Sequence, residues 1–224
     1  MRGYCETSDE HFIFHVEHPN AYEQENLIAA LFVEEKKGHF LKRYDADMTH
    51  AFVFEKDKKQ VAENFSRLCP SMFSTPENWR EDLKKFAKKA LEYHIEWYVT
   101  GSVSDAVYGV EIEPHDLDIA VHTRDFFKVK ECFKKEVVEP FVDNHGTWIA
   151  RYFGRLCLGA GVIDIVADES RNSENKAYEK VMWEGFELLV EPFQVRYETE
   201  LLRQRKERIA AFEKFLEGKS TDEK

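Results

Sequence analysis

The sequence predicts an α+β protein: a mixed-sheet domain over residues 75–224, preceded by a small α+β unit over residues 1–74. Three observations predict it. Short apolar runs of strand length are interspersed with longer runs whose apolar residues recur at helical spacing. In the second part several strand-like runs follow one another at hairpin distance, which favours a mixed sheet over a fully parallel one. Between the two parts lies "CPSMFSTPENW", Cys69 to Trp79, rich in proline and small hydroxyl residues, where the domain boundary is expected.

In the first part "HFIFHVEH" reads as a strand, "NLIAALFVEEKKG" as a helix ending at Gly38, "HAFVFEK" as another strand and "KKQVAENFSRL" as a short helix. At the boundary, Thr75-Pro76-Glu77 has the pattern of a helix start: a capping hydroxyl, proline at the first helical position, then acid in the first turn. The helix it opens, to about His94, carries Leu83, Phe86, Ala87, Ala90 and Leu91 on one face. "IEWYV" is then a strand, "VSDAVYG" a short helix ending near Gly109, "LDIAVH" a strand, and "RDFFKVKECFKKEVVEPF" an amphipathic helix. "TWIARYF" and "RLCLGAGVIDIVAD" read as strands with Gly154 at a turn between them. "NKAYEKVMW" reads as helical, "FELLV" as a strand, and Glu200 to Leu216 as one long charged helix.

With 43% hydrophobic and 14% aromatic residues the chain can build a packed core, which excludes wholesale disorder. A net charge of −11 argues against a general nucleic-acid binder, while leaving room for a local basic groove. Cys5, Cys69, Cys132 and Cys157 are far apart and lack metal-ligand spacing, so they read as reduced packing thiols of a cytoplasmic protein. His11, His15, His18 and His50 are scattered and likewise lack ligand spacing. No apolar run is long enough to span a bilayer, so no membrane partner is expected.

The informative stretch is "VTGSVSDAVYGVEIEPHDLDIAV", Val99 to Val121. Asp116 and Asp118 bracket a leucine in an otherwise apolar strand, so they project from the same face while Leu117 and Ile119 point into a core. Two carboxylates so close repel each other, and a hard divalent cation such as Mg²⁺ relieves the conflict. "GVIDIVAD" places a third acid, Asp164, in the same apolar setting, with Asp168 close behind. Three carboxylates on adjacent strands can hold two metal ions, and one can act as general base for an acceptor hydroxyl. Gly101-Ser102, at the end of a strand and the start of a helix, offers main-chain N–H groups to an anion.

An apolar strand, Gly-Ser, thirteen intervening residues, Asp-apolar-Asp-apolar and a later apolar-Asp-apolar together resemble the signature of the nucleotidyltransferase superfamily, the polymerase-beta-like fold. The resemblance covers about Glu92 to Val166. "EPHDLDIAV" is similar to the corresponding run in antibiotic nucleotidyltransferases of the lincosamide and aminoglycoside type. "GFELLVEPFQVRYETELLRQRKERI" is similar to the tail of small members, some of them toxin–antitoxin proteins. The departures are Glu113-Pro114-His115, where many members carry Arg or Lys, and Lys206-Glu207, where tails often read Lys-Asp.

The resemblance implies transfer of a nucleoside monophosphate from an NTP such as ATP to an acceptor hydroxyl, with release of pyrophosphate. Carried over by position, Gly101 and Ser102 would hold the triphosphate, with Lys206 and Arg203 or Arg205 contacting phosphates. Asp116 and Asp118 would bind Mg²⁺, and Asp164 would complete the metal site or act as base. The acidic balance favours a small molecule or a protein as acceptor, with an RNA end as the alternative. A second function class is a non-catalytic nucleotide-binding or regulatory member of the fold, for example in a toxin–antitoxin or defence pair.

Overall fold

The computed structural model of the chain describes residues 1–8, 11–45, 55–74, 78–114, 116–145, 150–167 and 178–222. The first part forms a four-stranded antiparallel sheet in the order β1-β2-β4-β3, from β1 (Arg2–Thr7), β2 (His11–Glu17), β3 (Val33–Lys36) and β4 (His39–Asp45). β2 keeps the expected period of two, with Phe12, Phe14 and Val16 buried. Helix α1 (Ala21–Ala29) is opened by a capping box in which Asn20 and Glu23 satisfy each other's main-chain N–H.

The helix expected to run to Gly38 stops at Ala29. Leu31 takes φ +67°, and the chain turns into the β3–β4 hairpin, closed at Gly38 with φ +74°. Leaving the helix lets Phe32 bury itself against Phe65 and Phe73, which continued helical spacing would prevent. Those two residues belong to α2 (Glu55–Ser74), which continues through Pro70 rather than ending at the composition break. Burial of Cys69, Met72 and Phe73 on one face outweighs the hydrogen bond that proline removes. Residues 50–54 of the expected second strand lie outside the described residues, as do His50 and Thr75-Pro76-Glu77. Helix α3 (Trp79–Glu92) has Asn78 as its capping residue, accepting from the Glu81 N–H.

The second part is built on a seven-stranded mixed sheet in the order β10-β11-β5-β6-β9-β8-β7. Its strands are β5 (Trp97–Val99), β6 (Leu117–Val121), β7 (Val137–Asp143), β8 (Tyr152–Leu156), β9 (Ile163–Ala167), β10 (Glu179–Trp183) and β11 (Phe186–Val190). β11 runs parallel to β5 and β6 parallel to β9, with antiparallel pairing elsewhere. Helices α4 (Gly101–Tyr108), α5 (Phe126–Cys132), α6 (Phe193–Arg203) and α7 (Lys206–Asp222) complete it.

Four further expectations are corrected here. The amphipathic run from Arg124 is helical only to Cys132, and "VVEPFVD" forms β7, an edge strand of the large sheet against which α2 packs, so that Val137 to Val142 are all buried. Gly154 sits inside β8 and not at a turn; a Cβ there would stand 2.4 Å from the Phe141 ring, so glycine lets that ring lie against the strand. "EKVMW" is a strand, closed onto β11 by Glu184-Gly185, both at positive φ, the geometry of a two-residue hairpin turn. The charged tail is two helices, broken at Gln204 in the left-handed conformation.

One contiguous apolar cluster runs from Phe12 and Phe14 through α2 and α3 to Ile119, Ile165 and Val190, so the two sheets share a core. The four cysteines are free thiols, Cys69 and Cys157 buried within it. Among the described residues no helix is long and apolar enough to cross a membrane.

Candidate active site

Asp118 lies on β6, and Asp164 is its register partner on the parallel strand β9. The residues flanking them, Leu117, Ile119, Ile163 and Ile165, are at most 1% exposed and hold both strands in the core. The alternation of a strand then forces both carboxylates to the opposite face. Asp116 stands just ahead of β6, and one carboxylate oxygen from each of the three acids lies within 4.8 Å of the others. Among the described residues this is the only group of acids, histidines or cysteines so arranged.

The main chain at Gly101 shapes the other wall. Gly101 opens α4 with φ +66°, and a Cβ there would fall 1.8 Å from Asp118 Oδ2. Only glycine leaves room for that carboxylate. The Thr100 N–H donates to the Asp118 carbonyl at 3.1 Å, fixing turn and strand together. Thr100 places no side chain over the first turn of α4. Instead its hydroxyl donates to Glu191 Oε2 at 2.5 Å, while Ser104 donates back to the Gly101 carbonyl at 2.7 Å.

The electrostatics are strained in one direction. Burial, with the Asp116 and Asp164 carboxylates adding to it, pushes the Asp118 carboxyl well above the usual carboxylate range, against the pull of Arg196 and Arg155. Asp164 has a direct cationic partner: Arg155, opposite it on β8, donates from Nε and Nη2 to its two oxygens at 2.7 and 3.2 Å. Arg155 is in turn opposite Glu139 on β7, to which Nη1 donates at 3.1 Å. One cross-strand row, Asp118-Asp164-Arg155-Glu139, therefore spans four strands on a single face. Burial raises Glu139, but Arg155 and Lys42 outweigh it and hold that carboxyl below its usual value.

The trio opens into a cavity of about 430 Å³ that also takes in Gly101, Ser102, Glu191 and Thr199. Its cationic side comes from the tail, where Arg196, Arg203, Arg205 and Arg208 all line it. Arg196 is held by paired hydrogen bonds to Asp105 at 2.9 and 3.0 Å, and Arg205 donates to Glu200 at 2.5 Å. Arg203 has no ion pair among the described residues and stays exposed at the mouth. Lys206 is exposed at the start of α7 and is not among the lining residues. Arg124 lies at a short 3-10 turn (Thr123–Asp125), exposed and paired with Glu96. His115 and Asp168 lie outside the described residues.

Sequence reasoning assigns Asp116, Asp118, Asp164, Gly101, Ser102 and Arg203 to the site, and all of these line this cavity; it also assigns Lys206, which does not. It misses Arg155, Glu139, Thr100, Glu191 and Arg196. The charged residue in each of "GRL", "VEP" and "VEPF" is a signal of the same kind as Asp164, a charge set in an apolar strand or at its end.

No known protein family matches the chain, and no characterised protein matches it in sequence. Solved structures match it in fold. A candidate nucleotidyltransferase from Thermotoga maritima aligns over 62% of this chain and 93% of its own, with a TM-score of 0.50 and 23% identity. The antibiotic-resistance factor ANT(2'')-Ia, solved with adenylyl-2''-tobramycin, aligns over 63% of this chain and 91% of its own at a TM-score of 0.44 and 10% identity. An antigenic nucleotidyltransferase-like protein from Paracoccidioides brasiliensis covers 60% of this chain and 74% of its own, at 0.42 and 10%. The chain has the α+β, mixed-sheet nucleotidyltransferase fold.

Proposed function

We propose that this chain is a Mg²⁺-dependent nucleotidyltransferase, moving a nucleoside monophosphate from an NTP such as ATP to an acceptor hydroxyl and releasing pyrophosphate. The observation that carries the reading is the convergence of Asp116, Asp118 and Asp164 beside the Gly101 turn, in a cavity whose far side is arginine-rich. The donor set fits a hard divalent cation: it is all oxygen, and its crowded carboxylates repel one another. Bound there, divalent ions would neutralise the phosphates and stabilise the leaving pyrophosphate.

In this reading Asp116, Asp118 and Asp164 are the ligands, with Asp164 held in a fixed orientation by the Arg155 fork. Gly101 and Ser102 receive the triphosphate at the N-terminal end of α4, where main-chain N–H groups and the helix dipole favour anions. Arg203, with Arg205 and Arg208, supplies charge to the distal phosphates. Lys206 reaches them only from outside the cavity wall. The acceptor oxygen forms a bond to the α-phosphorus as the bond to the bridging oxygen breaks; the hydroxyl proton goes to the carboxylate cluster and the electron pair leaves with pyrophosphate. Residues 75–224 form the transferase domain and residues 1–74 a small unit that shares its core, in a cytoplasmic protein. The preferred acceptor is a small molecule or a protein, with an RNA end as the other outcome of the test.

The test is incubation with each labelled NTP and Mg²⁺, alone and with cell extract, following pyrophosphate release and transfer of label. Turnover that disappears in an Asp116→Ala/Asp118→Ala variant is the expected result. Turnover surviving in that double variant overturns the assignment. Nucleotide binding without pyrophosphate release in any condition favours a regulatory, non-catalytic protein.

A further inference from the structure

The charged row that crosses the large sheet does not end at Glu139. Glu139 accepts a hydrogen bond from the Tyr44 hydroxyl at 2.5 Å and pairs with Lys42 Nζ at 2.6 Å, both on β4 of the small sheet. Arg155 also donates through Nη1 to the carbonyl of Ala30, the residue that caps α1. Glu139, Arg155 and Tyr44 are 0%, 4% and 5% exposed. The path from Lys42 to Asp164 is thus an alternating series of charges, cation to anion to cation to anion, buried throughout except at the half-buried Lys42, crossing from the small unit into the candidate active site. Water screens such links poorly, so a change at one end is felt at the other.

Arg155 is the element both ends share. Its fork divides between Asp164 and Glu139, and the stronger Glu139's hold, the less Arg155 competes with a cation for Asp164. Lys42 and Tyr44 set that hold by occupying Glu139 from the other side. We propose that Arg155 is a positioning residue for Asp164, and that the small unit, acting through Lys42, Tyr44 and Glu139, tunes the cation affinity of the aspartate trio. The proposal rests on the metal-binding reading given above, and it assigns residues 1–74 a role in that reading.

The signs follow from the geometry. Lys42→Met and Tyr44→Phe each remove a competitor for Glu139, which then draws Arg155 from Asp164; cation binding tightens. Glu139→Gln leaves Arg155 with Asp164 as its anionic partner; cation binding weakens. The experiment measures Mn²⁺ binding to the full chain by electron paramagnetic resonance, without nucleotide. Tightening by about threefold in Lys42→Met and Tyr44→Phe, and weakening by about tenfold in Glu139→Gln, are expected from coupling within one ionic network. Opposite directions are the diagnostic feature, because a general loosening of the fold weakens binding in all three. If Glu139→Gln does not fold, the other two variants decide. Affinities within twofold of the wild type, or weakening in Lys42→Met and Tyr44→Phe, overturn the proposal. A wild-type chain with no Mn²⁺ binding sensitive to Asp118→Asn instead sinks the metal-binding reading itself.

Discussion

Replacing Gly101 with alanine probes the closest contact in the candidate site. The new Cβ would sit 1.8 Å from Asp118 Oδ2, 2.6 Å from its Cγ and 2.9 Å from its Cβ. Because the whole side chain is crowded, and not its tip alone, a small rotation of the carboxylate does not relieve the overlap. Asp118 must retreat by roughly 1 Å or more to reach ordinary contact distance. Displacements of that size at a reacting centre cost about a hundredfold in turnover. The left-handed backbone, at φ +66°, adds about 1 kcal/mol of destabilisation for any residue with a Cβ. Pyrophosphate release under saturating NTP and Mg²⁺, beside thermal melts of the same samples, separates the two effects. A folded Gly101→Ala variant turning over within about threefold of the wild type would refute the claim that this turn and Asp118 form one site.

Three other outcomes are expected. Asp118→Asn raises the melting temperature of metal-free protein, by about 2–4 °C per kcal/mol of repulsion relieved. The wild-type Asp118 carboxyl is raised above its unfolded value, so its contribution is fully present below the unfolded pKa and is lost as pH rises through the folded one, by at most about 1.4 kcal/mol per pH unit. Melts from pH 4 to 8 should show the variant's advantage growing with pH and reversing when Mg²⁺ is added; an advantage flat in pH contradicts the assigned cause. Arg203→Ala, at an exposed residue of the cavity, raises KM for NTP about tenfold with little change in kcat or stability, as steady-state kinetics would register. Gly154→Ala lowers the urea midpoint without changing the slope, since a Cβ would stand 2.4 Å from the Phe141 ring and overpacking costs about 1–3 kcal/mol.

The site was readable because its residues violate the local pattern. An acid within an apolar strand is conspicuous, and Gly-Ser at a strand end marks a turn, so short-range rules alone locate both halves. The row Asp164-Arg155-Glu139 was not readable, because its members meet only through pairing across strands. Nothing in "GRL" reveals which acid the arginine faces. Errors in the elements have a similar origin. Phe32 leaves its expected helix for partners on α2, and "VVEPFVD" becomes a strand because β8 pairs with it and α2 packs against it. Pro70 invites a break where burial of its neighbours keeps the helix whole. Gln204 carries no strong local signal for the break that separates Arg203 from α7.

The parallel pairing of β6 with β9 places Asp118 level with Asp164 and Ile119 level with Ile165. A strand has only two sides, so sliding β9 by one step would send an isoleucine into the cavity and drive a carboxylate into hydrocarbon. A single residue added within Ile163–Ala167 therefore inverts the strand's polarity beyond it. Neither evolution nor an engineer can miscount inside this centre.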